Sequence, residues 1–203
     1  MTEDRQMEFT FAAVAEKPKQ AKDTLPSKWW SWVEPCVWTP SMSTALIKGV
    51  KGGKWFSLID KVYKPENLRR AFQLVKANKG APGVDHVSID AYKKRLDENL
   101  ERIRIGLSEG KYQPQAIRRV EIPKPGTNQT RPLGIPTVRD RTVQAALVNV
   151  IEPIFEVGFA EHSYGFRPNR GAKDALRRVD GLLKEGFTCV VDADLKGYFD
   201  TIP

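Results

Sequence analysis

The end of the sequence combines an apolar run with carboxylates, a pairing that could bind a metal ion. Residues 187–194 are β-branched and aromatic up to the first aspartate, which is typical of a buried strand. Strand alternation places Asp192 and Asp194 on one face, about 7 Å apart. Carboxylates at a strand end suit Mg²⁺ bound to substrate phosphates, because that ion keeps several waters and needs few protein ligands. Asp is also common after strands as a turn former or helix cap, and this ordinary role stays open.

A second chemical feature is positive charge concentrated in the middle of the chain. The 203 residues carry 33 Lys and Arg against 25 Asp and Glu, a formal net charge of +8. Residues 111–150 hold seven of these bases and two of the acids, a net charge of +5. Such clustering favours an anionic partner, most commonly nucleic acid, although loops also collect Lys and Arg without binding anything.

Length and composition restrict the class of protein. With 40% hydrophobic and 29% charged residues, the chain is globular and suits one domain or one domain with a tail. No apolar window approaches the ~18 residues of a membrane-spanning helix, and the start lacks the apolar region of a secretory signal. Cys36 and Cys189 form neither metal-ligand spacing nor a disulfide framework. We therefore expect a cytoplasmic protein with no membrane partner.

The first 63 residues are predicted to form an irregular, partly flexible leader, because a Lys- and Pro-rich stretch there lacks periodicity. Four tryptophans follow within ten positions: Trp29, Trp30, Trp32 and Trp38. They could stack on nucleic-acid bases. The favoured interpretation is that they pin the leader onto the core.

Apolar residues at intervals of three and four dominate the remaining chain. They predict helices over residues 65–78, 88–108, 143–154 and 172–183. Pro153 predicts a kink, and Gly186 ends the last helix. The glycines of residues 79–85 predict a turn with unusual backbone angles.

The period changes to two over residues 118–136. Two alternating arms flank a polar link, which predicts a β-hairpin with a flexible basic tip. Four prolines in this stretch place the hairpin at a sheet edge or projecting from the body. The order helix, helix, hairpin, helix, helix, strand predicts an α+β fold.

Four segments carry a family resemblance when they are taken in order. They are Asn78-Lys-Gly-Ala-Pro-Gly-Val-Asp85, then Ile122-Pro-Lys-Pro-Gly126 with Thr130-Arg-Pro-Leu-Gly-Ile-Pro-Thr137 and Asp140-Arg141, then His162-Ser-Tyr-Gly-Phe-Arg-Pro-Asn-Arg170, and Asp194-Leu-Lys-Gly-Tyr-Phe-Asp200. Together they resemble the reverse transcriptases, or maturases, encoded by bacterial group II introns. The resemblance covers roughly residue 45 to the end of the sequence.

The resemblance implies a right-hand polymerase truncated after the start of its palm. Its parts would be the leader (residues 1–63), the fingers with their connection to the palm (64–186) and the start of the palm (187–203). The implied activity is RNA-directed DNA polymerisation, in which two Mg²⁺ ions catalyse nucleotidyl transfer. The implied partners are an RNA template, the intron RNA, a DNA primer and deoxynucleoside triphosphates.

The resemblance also implies roles for individual residues. Asp194 would be the catalytic metal ligand of the first motif, assisted by the backbone carbonyl of Leu195, and Phe199 would select deoxynucleotides. Lys124 and Arg131 would grip the triphosphate, with general contact to the template backbone as the alternative. Phosphate contacts with RNA are expected for Arg118, Arg119, Arg139 and Arg141. Arg167 and Arg170 would touch template or nucleotide, with a structural salt bridge as the alternative.

One departure from the family limits the expected activity. The second catalytic motif, Tyr-Xaa-Asp-Asp, does not occur in the sequence. We therefore expect the 203-residue chain alone to be inactive, either as a gene fragment or as half of a split enzyme whose C-terminal part is a separate chain. The alternative function is a non-catalytic, maturase-like module that grips intron RNA. A small Mg²⁺-dependent phosphotransferase is disfavoured by the four ordered segments.

Overall fold

A computed structural model describes residues 31–49, 55 and 58–195. These residues form helices and one two-stranded antiparallel sheet, so the predicted mixture of helices with a hairpin is confirmed. The chain divides into two compact units between Gly158 and Phe159. The elements in order are α1 (Pro40–Lys48), α2 (Ile59–Val62), α3 (Pro65–Asn78), α4 (Ile89–Lys93), α5 (Leu96–Ser108), β1 (Arg118–Pro123), β2 (Thr130–Ile135), α6 (Val138–Glu156) and α7 (Ala172–Lys184).

The core of the first unit lies where α3 packs against α6. Leu68 and Phe72 of α3 and Val150 of α6 are almost completely buried. A polar contact fixes the register, because the buried Asn67 donates to the carbonyls of Val62 and Ala146 at 3.3 and 3.0 Å. A buried amide with its hydrogen bonds satisfied holds its helices in one arrangement, since any slip would leave it unpaired.

The described part of the leader contains helix that its composition does not predict. The prediction of irregular structure is wrong for Pro40–Lys48. This segment is helical because Thr39 caps it and Pro40 suits its first turn. Trp38 is 5% exposed and donates its indole N–H to the Asn149 carbonyl at 3.1 Å. The prediction that these tryptophans attach the leader to the core is therefore confirmed for Trp38. Trp29 and Trp30 lie outside the described residues.

The prediction of a single helix over residues 88–108 is wrong, because the helix is interrupted between α4 and α5. Arg95 has non-helical angles (φ −122°, ψ 38°), and the Asn99 side chain donates to the Tyr92 carbonyl at 3.0 Å. That bond satisfies a carbonyl near the break. Apolar spacing persists across the interruption, because residues of both helices, among them Tyr92 and Leu100, pack in the same core.

Other helical predictions are confirmed with small changes of boundary. Helix α3 has the predicted bounds, and α6 begins five residues early because Thr137 caps it. Helix α6 also continues through Pro153 to Glu156. No helix in the described ranges is long and apolar enough to cross a membrane.

The buried strand predicted for residues 187–194 is wrong. Residues 187–195 are neither helical nor extended in a sheet, and Val190 and Val191 are 83% and 89% exposed. A strand needs a neighbour for its ladder of hydrogen bonds, and the described part of the chain provides none for this segment. The apolar composition is therefore not matched by burial here.

Candidate nucleic-acid interface

The candidate interface is built on the hairpin of β1 and β2. In its antiparallel register Arg118 lies opposite Ile135, Val120 opposite Leu133, and Ile122 opposite Arg131. The turn between the strands is closed by the Lys124 amide, which donates to the Gln129 carbonyl at 2.8 Å, and Gly126 takes a positive φ of 74°. Every residue from 123 to 134 is exposed. The predicted β-hairpin is thus confirmed, with its turn fully open to solvent.

The hairpin tip is defined here as Lys124, Arg131 and the turn between them. Its two cationic side chains make few contacts with the described part of the chain. The Lys124 ammonium has one long contact, 3.4 Å to the Gln129 side-chain oxygen. The Arg131 residue is exposed, and its side chain has neither a hydrogen bond nor an ion pair with the described part of the chain. A guanidinium in this state keeps its full set of donors for an external phosphate or carboxylate.

The hairpin root, defined as Tyr112, Gln115, Thr137 and Asp140, is in contrast closed by a buried carboxylate. Asp140 is 4% exposed and accepts hydrogen bonds from the Tyr112 hydroxyl, from the Gln115 amide at 3.1 Å and from the Thr137 hydroxyl at 2.7 Å. Tyr112 and Gln115 precede β1, and Thr137 lies two residues after the end of β2. One carboxylate therefore fastens both ends of the hairpin to α6.

Protonation equilibria at the root favour the charged carboxylate. Burial works to raise the pKa of Asp140, but hydrogen bonds from Tyr112, Thr137 and the Gln115 amide together hold the pKa below its usual value. Burial and the hydrogen bond to Asp140 raise the pKa of the Tyr112 phenol, so this hydroxyl stays a donor. The network is thus complete at neutral pH.

The loop of residues 79–85 is fastened to the same helix end. Arg141 donates to the carbonyls of Lys79 and Ala81 at 3.4 and 2.9 Å. A side chain at Gly83 would place its Cβ 2.6 Å from the Thr137 Cα, so the loop backbone lies directly on the start of α6. Gly80 has a φ of 113°, which confirms the unusual backbone angles expected at this turn.

The remaining arginines of the first unit differ in their freedom. Arg139 donates to the Gln113 carbonyl at 2.7 Å and stacks 5.2 Å from the centre of the Tyr112 ring. Arg119 pairs with Glu121 at 3.1 Å on the exposed side of β1. Arg118 is half-buried, and its Nε has no hydrogen bond.

In the second unit, two arginines expected to touch nucleic acid stabilise a loop. Arg167 is 7% exposed and donates to the carbonyls of Ala160 and Ser163 at 2.8 and 2.9 Å. Arg170 donates to the Glu161 carbonyl and stacks over Tyr164. These bonds give both arginines a structural role in the loop, and their contact with template or nucleotide stays a prediction.

The carboxylates expected to bind metal lie on an exposed segment of the second unit. Asp192, Asp194 and Leu195 are exposed, and Phe199 lies outside the described residues. The described ranges contain no group of three or more His, Cys, Asp or Glu side chains able to hold a metal ion. Two carboxylates that are two positions apart on an exposed segment do not by themselves fit a two-ion site.

The root residues Tyr112, Gln115 and Thr137 were missed by sequence reasoning. A local signal existed, because Thr137 and Asp140 have the spacing of a helix capping box, with Asp in place of the usual Glu or Gln. Tyr112 and Gln115 are more than twenty residues from Asp140 and have no such local signal. Their contribution depends on the hairpin bringing its two ends together.

The class of protein follows from comparison with known families. Residues 122–203 match the family described as "Reverse transcriptase (RNA-dependent DNA polymerase)". The match begins inside β1 and takes in β2, α6, α7 and the Asp194 segment. This stretch of the chain belongs to the reverse transcriptase family.

Similarity to curated proteins specifies the branch of that family. The chain is 43% identical over 151 residues to Protein YkfC of Escherichia coli (strain K12), covering 71% of this chain and 39% of that protein. It is 36% identical over 141 residues to the group II intron-encoded protein LtrA of Lactococcus lactis subsp. cremoris, covering 68% and 23%. A putative COX1/OXI3 intron 1 protein of Saccharomyces cerevisiae is 31% identical over 137 residues, covering 66% and 16%.

These matches confirm the resemblance to group II intron-encoded reverse transcriptases and maturases. The chain is homologous to these proteins along about two thirds of its length and spans less than two fifths of theirs.

Proposed function

We propose that the chain forms the fingers and the start of the palm of a group II intron-type RNA-directed DNA polymerase. In this proposal the hairpin tip grips nucleic-acid and nucleotide phosphates. The observation that supports it best is a combination of two features of the hairpin. The Arg131 side chain at its tip is exposed and unpaired, and its root is held by hydrogen bonds to the buried Asp140. A cation held on a fixed hairpin loses less freedom on binding than one on a mobile loop.

The electrostatics of the tip suit phosphate. Arg131 offers a planar fork that can bind two phosphate oxygens, whereas Lys124 supplies a point charge. The two side chains flank one turn, so a single triphosphate or two neighbouring backbone phosphates could contact both. Such contacts position a strand without reading its sequence.

The proposed catalytic role of Asp194 is to bind one metal ion. Asp194, with the Leu195 carbonyl, would hold one of the two Mg²⁺ ions that carry out nucleotidyl transfer in the complete enzyme. The described residues do not complete such a site. We therefore propose that this polypeptide alone does not polymerise DNA.

A second function is favoured by the same contrast between free cations and an incomplete metal site. The chain would act as a non-catalytic, maturase-like module that grips intron RNA through the tip. RNA binding without polymerisation is the behaviour expected of such a module.

RNA binding by the purified chain tests the role of the tip. We expect Arg131→Ala to weaken binding of an RNA oligonucleotide about tenfold at low salt, as loss of a charge-assisted phosphate contact would do. Arg69→Ala is the matched control, because Arg69 already pairs with Asp97 at 2.6 Å on an exposed helix surface. Equal losses in both variants would contradict a specific role for the tip.

Primer extension on an RNA template with Mg²⁺ tests the catalytic part. We expect no cDNA from the 203-residue chain, and RNA binding that survives Asp194→Ala. Robust cDNA synthesis would overturn the proposed inactivity. Loss of RNA binding in Asp194→Ala would contradict the proposal that RNA binding by the hairpin tip is independent of the catalytic metal ligand.

A further inference from the structure

A cavity in the first unit, away from the hairpin tip, lies beside the break between α4 and α5. Its volume is about 470 Å³, within the range of small-molecule sites, and its lining includes Tyr92, Lys94, Arg95, Asn99 and Arg139. A smaller cavity of about 130 Å³ is also lined by Tyr92, Asn99 and Arg139. These three side chains therefore border both spaces.

Tyr92 has a hydroxyl that the protein does not satisfy. The residue is 5% exposed, its ring stacks on Phe72, and its hydroxyl is buried without a hydrogen-bond partner. A buried hydroxyl without a partner costs free energy that a ligand oxygen could recover. Burial, helped by the nearby carboxylates Asp140 and Asp85, raises the pKa of Tyr92 to about 12, so the hydroxyl remains a donor at neutral pH.

A second buried donor, on another residue that lines both cavities, also lacks a hydrogen bond. The Arg139 Nε is buried without a hydrogen bond, although it makes an ion pair with Asp140 at 3.6 Å. Two unsatisfied donors bordering one cavity point to an acceptor-rich ligand rather than to an apolar one.

Two exposed lining residues add positive charge to the cavity. Lys94 and Arg95 are exposed, and neither makes an ion pair or side-chain hydrogen bond with the described part of the chain. Asp85, another lining residue, accepts one bond from the Val87 amide, which leaves its second oxygen as an acceptor for a hydroxyl or amine. Cations for a phosphate together with acceptors for a sugar or base match a nucleotide.

We propose that this cavity binds a nucleoside phosphate, with the phosphate at Lys94 and Arg95 and a ligand oxygen accepting from the Tyr92 hydroxyl. The ligand is either a free nucleotide or one nucleotide of an RNA strand. The site is separate from the hairpin tip and does not depend on polymerase activity.

Binding of uridine 5′-monophosphate to the purified chain, followed by NMR and calorimetry, tests this site. We expect saturable binding that weakens about tenfold in Tyr92→Phe and at least as much in the double variant Lys94→Ala/Arg95→Ala. Tyr92→Phe removes an unsatisfied buried hydroxyl and keeps the ring, so its thermal stability without ligand should equal or exceed that of the parent. Lys93→Ala, on the same helix but outside the cavity lining, is the matched control and should bind normally.

The arms of the experiment separate the sources of the nucleotide and the two proposals. A pentauridylate that binds more than tenfold tighter than the mononucleotide, with the same sensitivity to Tyr92→Phe, identifies an RNA strand as the source; equal affinities identify a free nucleotide. Binding that persists in Lys124→Ala/Arg131→Ala shows a site distinct from the tip. Absence of saturable binding, loss that is equal in Lys93→Ala, or insensitivity to Tyr92→Phe and Lys94→Ala/Arg95→Ala would overturn the proposal.

Discussion

The tip and the root of one hairpin use polar side chains in opposite ways. At the tip, Lys124 and Arg131 are exposed and almost unengaged. At the root, Asp140 is buried and accepts bonds from three donors, while the adjacent Arg141 donates to loop carbonyls. The same hairpin thus has one end available to a ligand and one end committed to the fold.

This difference shows that a count of basic residues overstates a binding surface. Residues 111–150 carry a net charge of +5, yet Arg139 and Arg141 donate hydrogen bonds to backbone carbonyls. Their charge still contributes to the long-range field that attracts an anion. Their capacity for a bidentate phosphate contact is reduced, because part of each guanidinium is already bound.

The root carboxylate gives the largest expected effect. Asp140→Ala would leave the donors of Tyr112, Gln115 and Thr137 without their acceptor, and we expect a loss of about 3 kcal/mol in the free energy of unfolding. Urea denaturation measures this loss. Asp97→Ala, at an 80% exposed side chain paired with Arg69, should change stability by less than about 1 kcal/mol. Equal effects would erase the contrast between root and surface.

The contact between the loop and α6 gives the next largest effect. Gly83→Ala would press a Cβ onto the Thr137 backbone, and we expect a destabilisation of about 2 kcal/mol because neither backbone can easily yield. Gly181→Ala is a control of opposite sign, since nothing lies near its Cβ position within α7 and alanine favours helix by about 1 kcal/mol. Thermal melts of both variants distinguish the two outcomes, and a neutral Gly83→Ala would contradict the close contact.

Acid should loosen the root before it affects the tip. The pKa of Asp140 is lowered in the folded protein from its ordinary 3.8, so its contribution is fully present above that value and is lost as the pH falls through the lower folded pKa. Hydrogen exchange of the Gln115 amide between pH 6 and 2 reports this change, because that amide donates to Asp140. Protection lost already above pH 5, or retained throughout, would contradict the assignment.

The smallest effect sharpens the description of β1. Glu121→Gln would release Arg119 from its exposed ion pair, and we expect RNA affinity at low salt to rise by no more than about threefold. Glu109→Gln, which releases Lys111 outside the hairpin, is the comparison. A larger gain in the Glu109 variant would move the interface away from the hairpin.

Local signals were sufficient to predict much of the fold. The 3.6-residue period gave α3 with its correct bounds, and alternation with prolines gave the exposed hairpin. The break at Arg95 was hidden, because both helices pack on one core and keep the apolar spacing continuous. The strand at residues 187–194 failed for a different reason: composition favours extension, but a sheet requires a partner.

The candidate site was less predictable than the fold. Residue type placed Lys124 and Arg131 at the basic tip of the hairpin, where the structure shows both to be exposed. It gave no sign that Arg141 and Arg167 would bind carbonyls, since such acceptors exist at every position of a sequence. The role of Asp140 required knowing that Tyr112 and Gln115 return to it across the hairpin. Phosphate binding at the tip and metal binding at Asp194 remain predictions.

The salt dependence of RNA binding tests the central contrast most directly. For Lys124→Ala/Arg131→Ala we predict an unchanged melting temperature and a slope of log affinity against log salt reduced by about two, one for each lost phosphate contact. For Arg141→Gln we predict a lowered melting temperature and an unchanged slope, because its guanidinium holds the loop carbonyls. A slope that falls with Arg141→Gln and stays constant in the tip variant would contradict the account.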